Sequence, residues 1–64
     1  MICKITYIDP DNNKLVERDY KRKGDAIEYA QAMAGFLGCD VTVTAVNSNK
    51  HWVYSMYGLE EEVN

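Results

Sequence analysis

The hydrophobic period of this chain changes twice, from two to about 3.6 residues after Gly24 and back to two after Gly38. A period of two lays alternate side chains on opposite faces of a strand, whereas the longer period draws a stripe along a helix. Strands on either side of a single helix confine the chain to a small set of layered α+β folds.

In residues 2–8, Cys3, Ile5 and Tyr7 alternate with Lys4 and Thr6, while Ile2 and Ile8 lend apolar character to the second side, so this strand is expected to find cover on both faces. Asp9-Pro10-Asp11-Asn12-Asn13 is turn chemistry: proline presets φ, and Asn and Asp hydrogen-bond their own backbone and tolerate left-handed conformations. A hairpin into 14–20 follows. That second strand carries Lys14, Glu17, Arg18 and Asp19, which suits a sheet edge, where charge discourages pairing with other chains.

Asp25 and Glu28 have the spacing of a capping box, placing the helix start at Asp25. At 100° per residue, Ala26, Ile27, Ala30, Met33, Ala34 and Leu37 form one broad stripe bordered by Tyr29 and Phe36. Gly38 is the expected stop, because glycine enters the left-handed region without a Cβ clash. Val41-Thr42-Val43-Thr44-Ala45-Val46 reads as a strand with one apolar and one hydroxyl-bearing face. Asn47-Ser48-Asn49 turns the chain into 50–57, where Trp52, Tyr54 and Met56 alternate with His51, Val53, Ser55 and Tyr57, and Gly58 ends the strand. The predicted fold is a two-layer ββαββ domain over 1–58, an antiparallel sheet with one helix on one face. Residues 59–64 are expected to form an acidic tail, either frayed or a single helical turn.

Sixty-four residues hold one domain, and a domain this small buries only about 60% of the surface of its unfolded chain. Apolar residues make up 47% of the chain and charged residues 27%, a balance that excludes the disordered class. The uncharged stretch 29–39 is about half of what a spanning helix needs, and the N-terminus lacks a basic start and long apolar run. We therefore expect a cytoplasmic chain with no membrane association. Cys3 and Cys39, far apart and accompanied by the single histidine His51, make no metal-ligand pattern and read as reduced thiols, with a disulfide between the first strand and the helix end as the minority reading.

Catalysis requires a nucleophile or an acid–base pair held in a cleft. Cys3, Cys39, His51 and the turn carboxylates Asp9 and Asp11 form no such constellation, and the turn lacks the later Gly and Glu of a calcium loop. No phosphate-binding glycine loop or zinc-protease motif occurs either. A non-enzymatic chain without cofactor or metal is expected.

Five tyrosines, one tryptophan and one phenylalanine exceed what a one-helix core readily encloses, so some are expected at the surface, where such side chains anchor interfaces. Trp52, Tyr54 and Met56 are assigned to the core beneath the helix. Tyr7, Tyr29 and Tyr57, with Glu17, Asp19 and the tail Glu60-Glu61-Glu62, are the candidate protein-binding residues. In size, acidity and ββαββ character, and in the tail Glu60-Glu61-Glu62 with Asp9, Asp11, Glu17 and Asp19, the chain resembles the small inhibitor proteins of phages and other mobile elements, anti-CRISPR proteins among them. The resemblance implies an inhibitor whose partner is a nucleic-acid-binding complex of the host's defence; it carries over no individual residue. The basic run Lys21-Arg22-Lys23 departs from a simple DNA mimic.

The alternative function is nucleic-acid binding. Lys14, Arg18, Lys21, Arg22 and Lys23, beside Tyr20, place five of the seven basic residues within ten positions, and sheet aromatics can stack single-stranded bases. The overall charge of −3 opposes it. A homodimer formed through a sheet edge is the third reading.

Overall fold

The computed structural model describes residues 2–48 and 50–63, with only the backbone of 60–63. Its elements are β1 (Cys3–Ile8), β2 (Leu15–Tyr20), α1 (Lys23–Leu37), β3 (Val41–Ala45), β4 (His51–Ser55) and β5 (Gly58–Val63). The strands form one sheet in the order β2-β1-β3-β4-β5, with every neighbouring pair antiparallel. The α+β, two-layer reading holds, with one strand more than predicted.

The alternation decides which face is covered. Cys3, Ile5 and Tyr7 of β1, Val41, Val43 and Ala45 of β3, and Trp52 and Tyr54 of β4 are all buried, and the register places them side by side. The helix meets them with Ala26, Ala30 and Ala34, all fully buried at a spacing of four. Alanine is short, so the helix backbone lies close to the sheet while Ile5, Val43, Trp52 and Tyr54 supply the volume. The intervening side chains, including Lys4, Thr6, Thr42 and Thr44, face the uncovered side, so β1 is covered on one face only.

The β1–β2 turn forms as its composition predicts. Asp11 N–H donates to Asp9 Oδ1 at 2.9 Å, Lys14 N–H donates to Asn12 Oδ1 at 3.0 Å, and Asn13 takes φ of 58°. Gly38 ends the helix at φ 69° and donates its N–H to the Ala34 carbonyl at 2.9 Å.

Besides the cover of β1, three expectations need correction. The helix starts at Lys23, not Asp25. Arg22 is the extended N-cap and makes no side-chain capping bond, while Lys23 sets its ammonium 4.2 Å from the centre of the Trp52 ring, which anchors an earlier first turn. Asp25 thus lies within that turn, where the helix dipole favours its charge, rather than in a capping box with Glu28. Strand β4 ends at Ser55, so Met56 is exposed in a two-residue turn instead of packing beneath the helix. Finally, Gly58 opens a strand: at φ 108° it closes that turn, and 58–63 pairs with β4 instead of forming a tail or helical turn. Three consecutive glutamates carry weak strand propensity, which pairing to a formed neighbour overrides. Asn49, assigned to the β3–β4 turn, and Asn64, assigned to the tail, lie outside the described residues.

Among the described residues no helix is long and apolar enough to cross a membrane. The close helix–sheet approach makes a sharp prediction. Ala30→Leu, which forces a branched side chain into a filled site, is expected to cost about 1–3 kcal/mol, read as a lower urea midpoint. Ala32→Leu, on the exposed side of the same helix, should stay within about 0.5 kcal/mol of wild type.

Candidate protein-interaction surface

Strand register sorts the exposed side chains between two ends of the sheet. Ile8 pairs with Leu15, Val41 pairs with Tyr54, and Ser55 pairs with Gly58. The helix enters β3 through 38–40, which brings its last turn to the same end. Ile8, Leu15, Phe36, Met56, Tyr57 and Leu59, six of the eight large exposed hydrophobics among the described residues, therefore gather there. Phe36 is 84% exposed and Tyr57 86%, so neither contributes much to the core. Asp9, Asp11 and Asp40 lie at this end against one lysine, Lys14. The opposite end holds Lys21, Arg22, Lys23 and Lys50, with Ile2 and Val46.

Tyr57 belongs to the apolar end. Glu17 and Asp19 lie on the uncovered sheet face in register with Thr6 and Lys4, and Glu17 Oε2 is 3.5 Å from Lys4 Nζ. Tyr7 is a correction: at 8% exposure it is buried under the helix, because it shares its face with Cys3 and Ile5. Tyr29 stands half-buried on the helix flank, its ring 5.4 Å from that of Tyr20 and 5.9 Å from the Arg18 guanidinium carbon. The backbone of Glu60, Glu61 and Glu62 runs in β5, with a register shift opposite Val53 and Tyr54; their side chains lie outside the described residues. Sequence reasoning missed Phe36, Ile8 and Leu15. Phe36, on the border of the helical stripe, and Ile8, on the second side of the first strand, carried the available signals.

The basic residues do not form one stripe. Arg18 stacks on Tyr29 on the helix side of β2, Lys23 lies over Trp52, Lys14 is at the acidic end, and Lys21 and Arg22 are exposed in the connection to the helix. Glu17 and Asp19 point from the same strand to the opposite face. The uncovered face of β1, β3 and β4 presents Thr6, Thr42, Thr44, His51 and Val53, while Tyr7, Trp52 and Tyr54 turn beneath the helix.

Among the described residues no three His, Cys, Asp or Glu side chains gather as metal ligands. Cys3 is buried and Cys39 half-buried, both as free thiols, and burial beside Asp40 raises the Cys39 pKa. The Tyr7 pKa is also raised, first by its hydrogen bond with the Tyr29 hydroxyl and then by burial. No protein-family model, curated protein or solved structure matches this chain.

The Tyr7 proton links packing to pH. The folded state holds it more tightly than the unfolded chain, whose tyrosines release theirs near 10.0. Its contribution to stability is therefore whole below pH 10 and is lost as the pH climbs through the raised folded value. Tyr7→Phe is expected to flatten the fall of the urea midpoint above about pH 10, leaving the decline due to Cys39.

Proposed function

We propose that this chain is a non-catalytic protein-binding module that meets its partner through the apolar, acid-rimmed end of the sheet. The observation that carries the reading is the gathering of six large exposed hydrophobics at that end, with Phe36 and Tyr57 almost wholly in solvent. Stiff aromatic rings offer large contact area at small entropic cost, and such anchors dominate binding energy where water is excluded around them. Asp9, Asp11 and Asp40 at the rim favour a partner with a basic border, because opposite potentials speed encounter and reject wrong partners.

Basic borders are a property of proteins that hold nucleic acid. The sharper form of the proposal is thus an inhibitor that occupies the nucleic-acid site of a bacterial defence complex, in keeping with the small size and acidity of the chain. Direct nucleic-acid binding has less support. The basic side chains are divided between two faces and two ends, and the described part of the uncovered face offers His51 but no Tyr, Trp or Phe ring for a base to stack on.

Affinity capture from lysate of the native host tests the proposal. Wild type is expected to retain a specific protein that the double variant Phe36→Ala/Tyr57→Ala loses by about tenfold or more, with an unchanged circular dichroism spectrum. Equal retention by both would remove the apolar end from consideration. Binding to a single-stranded oligonucleotide that falls steeply with salt and disappears in Arg22→Ala would replace the proposal with the alternative.

A further inference from the structure

Strand β2 is an edge whose charges are sorted by face. Glu17 and Asp19 project to the uncovered side, while Arg18 projects to the helix side, between Val16 and Tyr20. Lys4 is the neighbouring cation on the uncovered side. It contacts Glu17 at 3.5 Å and is the register partner of Asp19, so one positive charge serves two carboxylates. On the helix side Arg18 is braced against the Tyr29 ring and has no carboxylate in ion-pair contact among the described residues. The register with β1 runs unbroken from Leu15 to Tyr20, without bulge or proline, so the outer edge is straight.

We infer that the outer edge of β2 accepts an extended segment of a partner protein as a sixth strand, and that it selects segments in which an acidic residue is flanked on both sides by basic ones. In an antiparallel pair, side chains directly opposite each other share a face. The acidic residue then stands beside Arg18, and the basic residues stand beside Glu17 and Asp19. Apolar residues at the ends of the segment meet Leu15, Val16 and Tyr20. The partner's backbone satisfies the edge N–H and C=O groups, which supplies affinity without regard to sequence, and the charges supply the choice.

A second copy of this chain is a poor occupant. Antiparallel pairing of two identical edges keeps both helices on the same side of the joined sheet. In the two registers of longest overlap, Glu17 meets Glu17, or it meets Asp19 while Arg18 meets Arg18. Like charges directly opposite destabilise the pairing. The charge pattern that blocks self-pairing is therefore the same one that admits a segment of complementary pattern. This edge shares Leu15 with the apolar end but not Phe36 or Tyr57, so the inference does not depend on those two anchors.

Two synthetic peptides decide the matter, Val-Lys-Glu-Lys-Val-Ile and its charge-swapped counterpart Val-Glu-Lys-Glu-Val-Ile, each titrated to millimolar concentration into the isotope-labelled full chain and followed by amide chemical shifts. The first is expected to shift the β2 amides with about tenfold higher affinity than the second. The variant Glu17→Lys/Arg18→Glu/Asp19→Lys should reverse that preference. Equal affinities, shifts centred away from β2, or no shifts with either peptide would overturn the inference. None of these outcomes touches the Phe36 and Tyr57 test.

Discussion

The structure depends on the close seating of one alanine-faced helix on a sheet wider than itself. Fifteen residues make a helix about 22 Å long and about 10 Å across. Five strands at about 4.8 Å spacing are about 19 Å wide between the outermost two. One helix cannot roof such a sheet. It covers the middle strands, where Ile5, Val41 and Val43 are sealed, and leaves the β2 edge and the described part of the opposite face open to water.

The distribution of side chains follows from that shortfall of cover. Aromatic residues in register with the middle strands go under the helix: Tyr7, Trp52 and Tyr54 are core, with Lys23 and Arg18 holding their cations against Trp52 and Tyr29 at the margins of the helix. Residues past the ends of the strands have no layer to enter. Met56 and Tyr57 are therefore exposed, and Phe36, off the buried alanine stripe of the helix, is exposed at the same end, which also carries Asp9, Asp11 and Asp40. The outer strands solve their edge problem differently. β2 uses sorted charge on a regular ladder, and β5 departs from regular register opposite Val53 and Tyr54. The proposed binding end and the proposed strand-accepting edge are both places that the single helix does not reach.

Much of the fold was legible because its signals are local. The Val-Thr alternation of β3, the Asn and Asp turn after β1, the alanine stripe and Gly38 each act through neighbouring residues, and each appears where the pattern places it. The helix start was misread because the deciding contact, Lys23 on Trp52, joins residues far apart in the chain. β5 was missed for a similar reason: Gly58 read as a stop, yet at φ 108° it closes a hairpin whose strand exists by pairing with β4. Of the candidate binding residues, Tyr57, Glu17 and Asp19 are exposed as expected, whereas Tyr7 is not, since its alternation with Lys4 and Thr6 already assigned it to the same side as Ile5.

The sequence by itself determined the order of the elements before residue 58 and the side of each strand that is apolar. Short-range periodicity and turn chemistry are sufficient for that, because they depend on residues no more than a few positions apart. Only the tertiary structure decided which end of the sheet gathers Ile8, Leu15, Phe36 and Tyr57, and that the acidic and basic groups of β2 part to opposite faces of an open edge. Those arrangements arise from strand order and register, which join residues across the whole chain and leave no mark at any single position.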